Sequence, residues 1–213
     1  MPTRPKNEED LQKREAAGVI RASRFIRRYA HSRQPLNMEV VCKIHECIFK
    51  QAWLDIAGKY RDEELKITDS RHLPPHHSEV AAKIKQADVD FAKKLENLSS
   101  VEPFWISDEA LSEDDEASID EIIAVAAWLH HIITHIHPFR EGNGRTARLA
   151  ANLVLERYGL VGISIKVERE NKTKYRQALA QVDQERDYEP LKKIIYEGLI
   201  DRYKGVAMRF VKN

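Results

Sequence analysis

The stretch Ile122 to Ile136, IIAVAAWLHHIITHI, constrains this chain more than any other, because wound as a helix it is apolar on almost every side. A helix without a polar face has to be enclosed by other elements, so this one is read as the centre of a helical bundle. Ser118, with Glu121 three residues on, has the form of a capping box and is taken as its start. With 42% hydrophobic residues, 32% charged residues and only 8 glycines in 213 positions, the chain reads as soluble and helix-rich rather than as a sandwich or a disordered polymer.

The flanking segments supply the rest of the bundle. Asn7 to Ala30 has helical spacing, with Leu11, Val19, Ile20, Ile26 and Tyr29 among its apolar positions. Asn37 is an N-cap candidate for a second helix, with Val40, Val41, Ile44, Cys47 and Ile48 in a stripe, fading near Gly58. Helical pattern returns from Ser78 to Leu98, and SDEALSEDDEAS reads as a solvated acidic loop. Further helices are expected from Gly144 to Tyr158 closed by Gly159, from Glu168 to Val182, and from Pro190 to Tyr203.

One segment departs from helical spacing. ELKIT alternates with period two and HLPP follows, which predicts a small β-hairpin over Leu65 to Leu73, cut short by Pro74 and Pro75. The expected fold is therefore all-α with a small β-hairpin. No internal repeat or long linker divides the chain, and the expected organisation is an N-terminal helical extension (1–37), a core domain (38–203) and a tail (204–213).

Charge and cysteine content narrow the classes of function. The formal net charge is +1, so overall charge gives no reason to expect a nucleic-acid or membrane partner. No uninterrupted apolar run approaches the ~18 residues of a bilayer span, and MPTRPKNEED lacks the apolar core of a signal peptide, so the cytoplasm is the expected compartment. Cys42 and Cys47, five apart on one helix, are read as reduced. Arg21, Arg24, Arg27, Arg28 and Arg33 are read as a solvated face, because no aromatic residues interleave them.

The chemistry concentrates in HIHPFREGNGRTAR, His135 to Arg148. Pro138 disfavours helix at His137, so the central helix is expected to end there, with the imidazole freed from the helix ladder. Gly142 and Gly144, with Asn143 between them, can turn successive N–H groups inward at the start of the next helix and form an anion nest. Arg145 and Arg148 share a face of that helix's first turn, where cations oppose the helix dipole unless an anion arrives. Glu141 could hold magnesium against bound phosphates, and His137, with an ordinary pKa near ~6.5, suits proton abstraction at neutral pH. A tight helix–helix turn without function is the plainer alternative. His131 and His135 stand four apart on one helix, but HIITH lacks the glutamate of a zinc protease motif, so zinc is not expected.

These residues resemble the signature of the Fic family, His-x-Phe-x-Asp/Glu-Gly-Asn-Gly-Arg-x-x-Arg, matched at every defined position by HPFREGNGRTAR. AGKYR, ELKIT and HLPPHHSEV resemble the family's hairpin flap, and YRQALAQVDQERDYEPLKKII its closing helices, so the resemblance runs from about Val40 to Leu199. It implies a mainly helical Fic-type bundle that transfers AMP from ATP to a protein hydroxyl and releases pyrophosphate. His137 would be the base, Glu141 the Mg2+ ligand, Gly142, Asn143 and Gly144 the phosphate nest, and Arg145 and Arg148 the holders of the β- and γ-phosphates. Tyr175 and Asp183 stand where the family contacts the base, Asp183 replacing the more usual asparagine, while Tyr175 reads equally as a core-facing tyrosine. Leu65, Lys66 and Ile67 in the flap are expected to dock the target as an added strand.

Other transfers stay open on the motif: UMP or GMP, phosphocholine, or phosphate as in the Doc branch, although that branch has lysine where this chain has Gly144. A non-catalytic nucleotide-binding scaffold is the alternative of another class. Many relatives are silenced by a Ser/Thr-x-x-x-Glu-Gly/Asn helix. Glu96, Glu141, Glu170 and Glu197 precede Gly or Asn here, but none has Ser or Thr four residues earlier. No strict inhibitory helix is expected, and a separate small antitoxin-like protein is a candidate partner.

Overall fold

Side-chain caps set the starts of three of the α-helices. The computed structural model describes residues 4–32, 34–68, 70, 72–104, 112–165 and 170–210, and among them seven α-helices and two short 3-10 turns. Asn7 caps α1 (Glu8–His31), its side chain accepting the Glu9 N–H at 2.9 Å. Asn37 caps α2 (Met38–Phe49) in the same way through the Val40 N–H. The turns Leu54–Ile56 and His77–Glu79 precede α3 (Val80–Asn97), and α4 (Glu113–Ile136), α5 (Asn143–Arg157), α6 (Glu170–Glu185) and α7 (Glu189–Phe210) complete the chain.

Several boundaries differ from expectation. The capping box of α4 is Ser112 with Asp115, so Ser118 lies inside the helix, and EDDE is its first turn rather than loop. Four acidic residues at the positive end of a helix dipole are stabilising, which is why the acidic run winds up instead of staying solvated coil. Residues 107–111 of that acidic stretch lie outside the described residues, as do Arg33 and the expected helix start at Glu168. α2 stops at Phe49, well before Gly58, while α7 runs on past Tyr203 to Phe210. Ile20, expected on the apolar face of α1, is 56% exposed.

The expected hairpin does not form among the described residues. Leu65 to Thr68 alternate between half-buried and exposed, but no partner strand lies beside them among the described residues. A single bridge joins Tyr60 to Phe139. Past that point Arg61 replaces the ladder: its guanidinium donates to the Glu63 carbonyl at 3.0 Å and to the Pro75 carbonyl at 2.5 Å, tying the two ends of the flap together. Pro74 and Pro75 cannot donate to a ladder, which accounts for the missing strand.

α4 lies at the centre, packed against α3, α5, α6 and α7, and α1 lies across α2 and α5. Ile122, Ile123, Ala126, Ala127, Leu129 and Ile133 of α4 are fully buried. The helix is long and apolar enough to cross a membrane by length and composition, but most of that stretch is covered by its neighbours. α1 approaches α2 so closely that a Cβ on Gly18 would stand 2.0 Å from the Ile48 carbonyl oxygen. Cys42 and Cys47 are both free, and the Cys42 thiol donates to the Tyr60 hydroxyl at 3.1 Å.

Candidate active site

The loop between α4 and α5 is built by a few polar side chains acting on backbone. His137 is the C-cap of α4 and takes a left-handed conformation (φ 51°, ψ 56°), uncommon for a residue with a Cβ and costing on the order of 1–3 kcal/mol. Arg61 holds it there: its Nε donates to the His137 carbonyl at 2.8 Å, and its backbone N–H to the Pro138 carbonyl at 2.8 Å. Asn143 then closes the loop, its side chain accepting the Phe139 N–H at 2.9 Å and donating to the Phe139 carbonyl at 2.7 Å. Both residues are buried, so the Asn143 side chain is a rivet of the loop and not a phosphate contact.

His45 fixes the same loop from below. Its Nδ1 accepts the Gly58 N–H at 2.9 Å, so its Nε2 carries the proton and donates to the Glu141 carbonyl at 3.0 Å. The ring stacks on Phe139 with centroids 3.9 Å apart, and burial lowers its pKa to about 4. Neither Arg61 nor His45 is singled out by sequence reasoning. A histidine within the apolar stripe of α2 was the only available sign of the second.

The imidazole of His137 has its Nδ1 3.2 Å from the Thr134 carbonyl, which can only accept, so Nδ1 is the N–H and Nε2 presents its lone pair. Burial holds the ring pKa below its ordinary value, with the Thr134 bond working the other way. The imidazole is thus neutral at physiological pH and fit to take a proton.

Opposite it stands the start of α5. Gly142 has φ 76°, and a Cβ there would lie 2.4 Å from the Phe49 ring, so glycine is required by backbone and by space. The N–H groups of Asn143, Gly144 and Arg145 precede the first helical hydrogen bond, Thr146 N–H to the Gly142 carbonyl, and are free for an anion. A cleft of about 430 Å³ joins Leu65, Lys66, Ile67, His137, Glu141, Gly142, Asn143, Gly144, Arg145 and Arg148. The base, the nest, both arginines and the flap residues expected from sequence are thereby brought together.

Arg145 is already engaged by carboxylates. One amino group donates to Glu15 of α1, the other to Glu141 at 3.3 Å, and the guanidinium lies 5.3 Å from the centre of the Phe49 ring. Glu15 is only 8% exposed. This contact spans most of the sequence and has no local signal. Glu197, by contrast, pairs with Lys174 at 2.7 Å and touches no motif arginine.

A second, larger cleft of about 570 Å³ opens next to the first and is lined by Ile67, His72, His135, His137, Tyr175 and Asp183 among others. Tyr175 is buried and its hydroxyl shares a hydrogen bond with His130 Nε2 at 3.1 Å, which makes it a core tyrosine whose ring faces the cleft. Asp183 accepts from His131 Nε2 at 2.8 Å and from His135 Nδ1 at 2.7 Å. Burial pushes its carboxyl up, but those two donors outweigh burial and hold it below the usual carboxylate range.

Fold and site together define a helical domain in which one cleft brings a histidine ring opposite a helix N-terminus with unpaired N–H groups. The family model described as Fic/DOC family matches residues 35–155, and the chain belongs to that family. Protein adenylyltransferase Fic of Nematostella vectensis is 28% identical over 159 residues, 74% of this chain and 32% of that protein. A Fido domain-containing protein of Dictyostelium discoideum is 64% identical over 36 residues, 17% of this chain and 25% of that one. The matched stretches thus cover about a third of the Nematostella protein and a quarter of the Dictyostelium one. Among solved structures, Fic-1 (residues 134–508) from C. elegans superposes with a TM-score of 0.69 at 23% identity, covering 98% of this chain and 55% of that one. BepC from Bartonella tribocorum, solved with bound AMPPNP, gives 0.60 at 20% identity and covers 91% and 88%. At such identities these structures speak for the fold.

Proposed function

We propose that the chain is a protein adenylyltransferase, moving AMP from ATP to a hydroxyl of a target protein with release of pyrophosphate. The observation that carries this reading is the shared cleft in which the His137 base faces the free N–H groups of α5, Arg145 and Arg148. The target hydroxyl attacks the α-phosphorus, His137 Nε2 takes its proton, and the bond to the pyrophosphate oxygen breaks. The N–H groups of α5 and Arg148 hold the departing pyrophosphate, whose charge grows as that bond opens. Arg145 joins them as far as Glu15 leaves its charge available. Relatives named protein adenylyltransferase support the choice of nucleotide.

Glu141 fits a magnesium ligand, since its carboxylate is 54% exposed on the rim of the phosphate cleft and only one of its oxygens is engaged, by the Gly142 N–H and Arg145. Magnesium bound there would supply charge neutralisation to the phosphates. The base moiety would enter the larger cleft, against the Tyr175 ring and the Asp183 end. The flap around Leu65, Lys66 and Ile67 would receive the target backbone as an added strand, its edge being unpaired among the described residues.

The test uses ATP labelled at the α- or the γ-phosphate with magnesium and a cell extract. Label appearing on a protein from the α position alone is expected. Label from the γ position alone would make the chain a kinase and sink the reading.

A further inference from the structure

His72 in the flap faces Asp183 of α6, its Nδ1 3.9 Å from Asp183 Oδ2. Its Nε2 lies 2.7 Å from the His135 carbonyl, which only accepts, so Nε2 carries the proton. Nδ1 is left to face the carboxylate, a contact that a positive charge between the two groups makes favourable, whether a proton on the ring or a metal ion. The His135 ring stacks on the His72 ring with centroids 4.3 Å apart, and one ligand atom from each of His72, His135 and Asp183 lies within 4.8 Å of the others.

We propose that His72, His135 and Asp183 bind a zinc-class divalent cation, and that this ion ties the flap to α4 and α6 at the far end of the larger cleft. A tetrahedral zinc with bonds of about 2.0–2.2 Å needs its ligand atoms roughly 3.3–3.6 Å apart, a spacing that small side-chain rotations reach from the present one. Two imidazoles and one carboxylate suit zinc and its first-row neighbours, and disfavour magnesium, which takes oxygen ligands. The supporting bonds match those of metal sites: a ligating histidine commonly donates its second nitrogen to a backbone carbonyl, as His72 does to that of His135. The ligating carboxylate is oriented in turn by the His131 Nε2–H, and His131 by the Tyr188 hydroxyl at 3.4 Å. Metal entry would displace the proton that His135 Nδ1 gives to Asp183. The three ligands are half-buried at the cleft wall, which leaves the fourth position to water.

A second group, Glu64, His76 and His77, also satisfies the distance criterion. Glu64 and His76 are exposed, and the His76 ring already accepts the Ser78 N–H as a turn cap, so that group serves as the control. The inference rests on this cluster and not on the adenylyltransferase reading, and with Asp183 as a ligand the base moiety of that reading would be left to the Tyr175 side of the same cleft.

The experiment strips the untagged full chain with a chelator and titrates zinc against a chromogenic chelator in excess magnesium. One zinc per chain is expected. His72→Ala and Asp183→Asn should each weaken binding by about tenfold or more, while the His76→Ala, His77→Ala double variant keeps it. His72 lies on the flap outside the core, so its variant reports on the site rather than on folding. Zinc should also slow trypsin cleavage after exposed Lys66 in the native chain and have no such effect in His72→Ala. Absence of stoichiometric zinc, wild-type affinity in His72→Ala, or loss of binding in the His76, His77 variant would each overturn the proposal.

Discussion

His137 meets two demands that normally conflict: it must be accessible to a hydroxyl, yet stay unprotonated near neutral pH. The αL cap turns the ring off the helix and burial lowers its pKa. A base works only when deprotonated, so the acid limb of the rate profile should fall below the ordinary value of 6.5. His137→Ala should cut turnover by about 10²–10⁴ with little change in ATP affinity, because the imidazole makes no phosphate contact. An acid limb above pH 6.5 in the native chain would contradict the burial argument. Arg145 differs from expectation in that its charge is already shared with Glu15 and Glu141. Glu15→Gln should tighten ATP binding roughly three- to tenfold, equivalent to a charge interaction of about 1 kcal/mol, measured by calorimetry. Unchanged or weaker binding would mean that Glu15 orients Arg145 for phosphate rather than competing with it.

At the scale of elements, the α4–α5 loop is an anion site because backbone groups are consumed where they would otherwise interfere. Asn143 takes both polar groups of fully buried Phe139. Asn143→Ala orphans that N–H and C=O together and should cost about 2–4 kcal/mol in a denaturant titration, with loss of nucleotide binding. A loss below 1 kcal/mol, on the order of one exposed hydrogen bond, would show that the loop is held elsewhere. The motif's place between two helices was legible from Pro138, Gly142 and Gly144, whose backbone limits are local properties. Arg61 and His45 were not legible, because their partners are carbonyls far away in sequence, and no residue pattern encodes a distant carbonyl. The flap shows the same limit: the alternation along ELKIT is matched by the alternating burial of Leu65 to Thr68, but a strand depends on a partner that the prolines and Arg61 preclude.

For the molecule as a whole, central placement of α4 followed from its lack of a polar face, and its burial bears that out. That placement also buries titratable rings. His130 in α4 and His45 in α2 have pKa values lowered by burial to about 3 and about 4, against 6.5 for the exposed ring. Below pH 6.5 the unfolded chain takes up these protons and the folded one does not, so stability present above that pH declines as pH falls toward 4. A melting temperature that stays level from pH 7 to about 4.5 would contradict this. Beyond sequence reach was the way α1 enters the site, since it arises from an approach of two helices that only Gly18 permits. A Cβ there meets backbone of Ile48, which cannot swing aside, so Gly18→Val should push α1 off α2 and cost about 3 kcal/mol. Because α1 carries Glu15 to Arg145, the same displacement should raise ATP affinity as Glu15→Gln does. In a double-mutant cycle the two gains should fail to add, since both remove one contact. Full additivity would mean that α1 acts on the nucleotide by some route other than Glu15.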